Sequence, residues 1–271
     1  MSGAMDQFHS DDFLLYAYLQ RGQDDAAKAV LGETAGLLTH FEAMPGMGDD
    51  YMVGMFPYYR NKYAAFFSLE MRDWKAASAL QAANGAPPET QTLVYWARAI
   101  AFGHLRQAQS ARTALADYRF LMDQVKKGRH AYYAESIGAQ IELDQMLGWI
   151  AFAGGDAPEA LKRMRTAADL QDKVGQGEVD IPAREMLGDM LLELGQPALA
   201  LPEYQQALKL SPNRFNGLFN AGQAAEAAGD KARARSYYAA LLKSTDNGSK
   251  SARPELAHAQ AFLVAAANAM N

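Results

Sequence analysis

The sequence contains no cysteine. That excludes a disulfide scaffold, thiol catalysis, an iron–sulfur cluster and thiolate-bound zinc. Prolines are few, at 10 in 271 residues, and histidines number only 5. No two histidines (His9, His40, His104, His130, His258) stand four apart, so no helix carries a paired metal site. No basic excess exists either: 26 Lys+Arg face 31 Asp+Glu, giving a formal charge of −5 and a pI near 5.6. Nonspecific nucleic-acid binding needs a basic face, which this balance does not supply. No apolar run approaches a membrane span; the longest, 261–267, is short and alanine-rich. The first residues lack the apolar stretch of a signal peptide. Phosphate-loop, nucleophile-elbow and His-Glu-x-x-His motifs are missing. Gly46-Met47-Gly48-Asp49-Asp50 has two close glycines but no preceding strand, and its acids repel phosphate. No cofactor and no metal site is therefore expected.

What the sequence does hold is alanine, 52 residues of it, in a chain that is 49% hydrophobic. That composition is too apolar for disorder. Alanine is the best helix former and lets helices approach closely. The alanines recur with a period. Gly188 and Gly222, Gly195 and Gly229, Ala200 and Ala234, and Tyr204 and Tyr238 are each 34 residues apart. Gly188 and Gly222 suit close helix contact. Gly195 and Gly229 fall where a left-handed C-cap is needed. Tyr204 and Tyr238 are expected to fill the space between successive repeats, and Pro212 to end a helix.

This pattern resembles the tetratricopeptide repeat family. The resemblance is sharpest over 181–212 and 215–246, with a third clear unit at 141–172 built on Leu147-Gly148, Gly155, Ala160 and Met164. Weaker units follow Arg98-Ala99, Ala64-Ala65 and Leu14-Leu15. The resemblance implies an all-α fold, a right-handed superhelix of about six helix–turn–helix repeats spanning 8–253. A short leader would precede it at 1–7 and a capping helix would close it at 254–271. Loops are expected at 44–53, 84–89 and 173–180. Ser10 or Asp11 is expected to cap the first helix. The stretches Asp12–Gln20, Ile181–Glu193 and Pro212–Phe215 also resemble a branch of longer bacterial repeat proteins, which implies that this chain is the C-terminal part of such an array or a shortened relative.

In this family the first helix of each pair lines a concave face. The template places Tyr16, Tyr59, Phe66, Trp96, Trp149 and Phe219 there, with Gln223. Tyrosine and tryptophan are favoured partner anchors; the alternative is that the rings bury against one another. Glu185, Asp189 and Glu193 fall at i, i+4 and i+8 on one helix face. Such like charges cost a helix roughly 0.2–0.5 kcal/mol per pair unless a cation balances them. A partner would supply that cation, or Arg184 or a base of the next repeat would. Repeats that hold a peptide carboxylate carry Asn at the ninth position. Here that position reads Tyr16, Phe66, Ile100, Trp149, Asp189 and Gln223, so an acidic tail is not the expected ligand. Met44, Met47, Met52 and Met55 form either a soft patch or gap-filling core.

The sequence thus points to a non-catalytic scaffold. It would bind a protein or peptide, neutral to basic and apolar, with no nucleic acid and no membrane. A homo-dimer through the alanine-rich last helix is the alternative, and an enzyme or metal site between helices is the remote one. The composition suits cytoplasm and periplasm alike.

Overall fold

The computed structural model describes the backbone of residues 2–42, 50–83, 85–175, 177, 179–248 and 251–268, with their side chains except those of 2–6, 37–42 and 50–56. Among the described residues there is no strand. The helices are α1 (Ser2–Gln20), α2 (Asp24–Glu42), α3 (Asp50–Glu70), α4 (Trp74–Ser78), α5 (Pro88–His104), α6 (Ala108–Val125), α7 (Ala131–Ala134), α8 (Ile137–Ala153), α9 (Ala157–Val174), α10 (Ala183–Glu193), α11 (Pro197–Leu210), α12 (Phe215–Ala227), α13 (Lys231–Ser244) and α14 (Pro254–Asn268). α5 packs on α6, α8 on α9, α10 on α11, α12 on α13, and α14 on α13.

One device turns the chain in all six pairs. The second residue after the first helix sits in the left-handed region: Gly22 (φ 64°), Arg72 (54°), Arg106 (58°), Gly155 (83°), Gly195 (71°) and Gly229 (82°). The next amide then reaches back five residues, as in Gln196 N–H to Leu191 O (2.9 Å) and Asp230 N–H to Ala225 O (2.8 Å). Such a closure satisfies carbonyls that a helix end leaves open. Asp73, Asp156 and Asp230 then cap the second helix, accepting from the amides of Ala76, Glu159 and Arg233. Four of the six turns carry the expected glycine. In two an arginine takes the strained conformation instead.

The repeat glycines answer to packing. A Cβ on Gly188 would lie 2.6 Å from the Tyr204 ring, and one on Gly222 would strike Tyr238. Each tyrosine therefore lies over the glycine of its own pair, not between successive repeats as the pattern suggested. Its hydroxyl explains the difference: Tyr204 donates to Asp189 (2.6 Å) and Tyr238 to Glu226 (2.7 Å), both on the first helix of the same pair. Met164 plays this part beside Gly148.

Several boundaries differ from the sequence expectation. Helix α1 begins at Ser2, and Ser10 and Asp11 lie inside the helix rather than at its cap. Asp11 is buried and accepts from the Thr34 hydroxyl (3.2 Å). The loop placed at 44–53 gives way to α3 from Asp50. Met44 and Met47 lie outside the described residues, as do the side chains of Met52 and Met55. Helix α4 is only five residues long. The chain after it is held by buried Asn61, whose amide donates to Thr90 O (2.9 Å) and accepts from Ala83 N–H (2.9 Å). The short α7, between α6 and α8, has no counterpart in the repeat pattern.

The chain divides into two compact units, Met1–Leu15 with Lys28–Val174, and Tyr16–Ala27 with Gly175–Asn271. The last break, after Val174, falls within the predicted 173–180 loop.

Candidate functional site

In the first unit, the spacing of three, four and seven residues along α3 brings Tyr59, Lys62 and Phe66 to one side. Tyr59 stacks on Phe8 at 5.2 Å. Lys62 pairs with Asp12 of α1, and its ammonium lies 5.9 Å from the Tyr58 ring and 5.8 Å from that of Phe66. The Phe66 ring is 6.1 Å from Trp96 of α5. The Trp96 indole N–H donates to Gln145 Oε1 of α8 at 2.8 Å. The first helices of three successive pairs thus contribute one unbroken run of contacts. Tyr59 and Phe66 are half-buried, whereas Trp96 is buried.

Trp149 stands apart from this run. It is fully buried, and a Cβ on Gly103 would sit 2.6 Å from its own Cβ. His104 lies over it at 3.9 Å and stacks on Trp74 at 3.8 Å with the rings 5° from parallel. The Trp149 indole N–H has no acceptor among the described residues. It is core, with no surface to offer a partner. His104 is the middle ring of this stack.

Beside Gln145, Glu142 accepts from the hydroxyls of Tyr118 (2.8 Å) and Tyr133 (3.0 Å). Burial, and then the charge of Glu142, pushes both phenols well above their ordinary range. Tyr133 comes from α7, so the segment that the repeat pattern did not anticipate supplies half of this arrangement. The same segment borders a cavity of about 430 Å³ whose lining includes Met122, Ala139 and Leu143 with Arg119, Asp123 and Glu135.

In the second unit the acidic stripe resolves into three different residues. Glu185 is buried and held by both arms of Arg214, at 2.9 and 3.1 Å. Asp189 is buried and accepts from Tyr204 and from Asn220 (2.7 Å). Only Glu193 is exposed. The stripe is therefore not an open acidic face. The balancing cation is a base of the next pair, Arg214, while Arg184 pairs with Glu203 at 2.9 Å. Arg214 carries no repeat-pattern signal. Its one mark in the sequence is the Pro212–Phe215 stretch. Tyr16 is half-buried, with the Arg214 guanidinium 5.8 Å from its ring. Phe219 is buried beside Tyr238 (5.9 Å) and His258 (5.8 Å), and Gln223 is half-buried. His258 of α14 lies 2.8 Å from Glu226.

Residues 185–252, which cover the last two helix pairs, match the model of the tetratricopeptide repeat family. Over those residues the chain is similar to tetratricopeptide repeats, and its all-helical paired architecture supports a protein of that family. No curated protein matches it. Tetratricopeptide repeats generally mediate protein–protein interaction or scaffolding and are typically not catalytic. Among the described residues, no group of three or more His, Asp or Glu is placed to hold a metal ion. No helix among them is long and apolar enough to cross a membrane.

Proposed function

We propose that this repeat protein is a non-catalytic scaffold that holds a protein or peptide segment on the first-helix face of its first unit. The observation that carries the reading is the run from Lys62 through Phe66 and Trp96 to Gln145, drawn from three successive pairs. Half-buried aromatic rings over a hydrogen-bonded floor are the kind of surface that anchors a partner. The bound segment is neutral and apolar. Lys62 is already matched by Asp12, and the second unit keeps Glu185 and Asp189 inside. The test compares capture from native cell lysate by the wild-type chain and by Tyr59→Ala/Phe66→Ala. The scaffold reading expects the captured protein to fall at least tenfold with the thermal transition retained. Equal capture by both chains defeats it.

Self-association is a second reading, favoured by α14. Ala257, Ala261 and Ala265 are exposed there, and Val264 is 62% exposed. A strictly monomeric mass by light scattering over a concentration series removes it.

A further inference from the structure

Within the second unit, the turn between α1 and α2 meets residues more than 190 positions away. Gln20 Oε1 accepts the Phe215 amide at 2.8 Å, at the first residue of α12. Asp24 accepts from Arg253 Nε (2.8 Å) and from Ser251 Oγ (2.9 Å). Arg21 pairs with Asp246 at 2.8 Å. The Arg253 guanidinium lies over Phe215, 4.2 Å from the ring centroid. A guanidinium over an aromatic ring and paired with a carboxylate is a built receptor for an acidic side chain.

Three features separate this contact from ordinary core. It is mostly polar, as reversible contacts between parts of one chain are. The Arg21–Asp246 pair is about half exposed on both sides. The Gln20 amide nitrogen is buried and finds no acceptor among the described residues. In addition, Asp246, Asn247 and Gly248 are all left-handed, with φ of 50°, 58° and 74°. Consecutive strained residues persist where the surrounding structure holds them, and they cluster at clamps.

We propose that the Phe215–Arg253 face is a binding site for an acidic segment, held closed in the folded chain by Gln20–Asp24 acting as its own clasp. Lifting the clasp removes Asp24 and presents Arg253 to a carboxylate of a partner. The site uses none of the residues of the scaffold face, so the two readings fail separately.

Charge reversal tests it on the full chain. Amide hydrogen exchange of residues 16–27 should speed at least tenfold in Arg253→Glu and in Asp24→Arg, and return toward the wild-type rate in the double reversal. A labelled peptide of residues 18–30, which carries Asp24, should bind the Asp24→Arg chain and not Asp24→Arg/Arg253→Glu. Because the chain has no cysteine, Gly22→Cys/Ser251→Cys gives an independent lock. A Cβ at Gly22 would lie 3.3 Å from that of Ser251, near disulfide range. Added to Asp24→Arg, the oxidised lock should abolish peptide binding and reduction restore it. Single reversals exchanging at the wild-type rate, or peptide binding that ignores Arg253 or the lock, overturn the proposal.

Discussion

Arg214 is wholly buried and holds both oxygens of Glu185, which lies 29 residues earlier on the neighbouring pair. It also donates toward the Asp180 carbonyl at 3.4 Å, so one side chain ties the loop before α10 to the start of α12. Breaking one side of a buried ion pair costs about 3–5 kcal/mol. Arg214→Ala should therefore lower unfolding stability in urea by that order. Arg214→Lys, which keeps the charge but not the fork, should fall between. By contrast Asp123→Ala, which breaks an exposed pair with Lys126, should change stability by less than about 1 kcal/mol. A loss at Arg214 no larger than at Asp123 would contradict the buried geometry.

The repeat glycines give a graded series. Gly188→Ala and Gly222→Ala each push a methyl into a tyrosine ring held by its own hydroxyl bond, and overpacking of this kind costs about 1–3 kcal/mol. At Gly148 the nearest atoms are the Ala160 carbonyl at 3.3 Å and the mobile end of Met164 at 3.5 Å. Gly148→Ala should be milder. Chemical denaturation of the three variants reads the order.

Arg106 takes a backbone conformation that suits glycine, yet its guanidinium lies 3.5 Å from the Phe152 ring centroid and donates to the Phe152 carbonyl at 3.1 Å. Side-chain contact thus offsets backbone strain. Arg106→Ala and Arg106→Gly lose the same side-chain contacts, so their difference isolates the backbone. Glycine should be the less harmful by about 1 kcal/mol. Equal melting temperatures would mean the turn relaxes out of the left-handed region.

Burial raises the pKa of Asp11 above its ordinary value, against the smaller opposing effect of the Thr34 hydrogen bond. The folded state then binds this proton more tightly than the unfolded state does. Across the window above the ordinary carboxylate pKa, stability from this group is lost as pH rises. Asp11→Asn should therefore raise the melting temperature at pH 7, and the gain should shrink as pH falls toward 4. A gain that grows on acidification would reverse the assignment.

Much of the architecture was legible in the sequence because it is local and periodic. A left-handed turn needs glycine, a close helix contact needs a small residue, and a 34-residue spacing brings both back in register. Gly195, Gly229, Gly188 and Gly222 were readable for those reasons. Arg72 and Arg106 hid two turns; at Arg106 the strain is offset by Phe152, a partner that sequence spacing does not reveal.

The candidate site was less legible. A template assigns a residue to a face, but whether that face stays open depends on what else reaches it. Glu185 and Asp189 followed the helical spacing of an acidic stripe, yet Arg214, Tyr204 and Asn220 take up both charges. The sequence by itself determined most of the helices and four of the six turns, because backbone geometry is set by neighbours a few residues away. Only the tertiary structure decided which charges are spent internally and which first-helix rings remain half-exposed. It alone brought Asp24 to Arg253, because no local spacing encodes a contact between residues 229 positions apart.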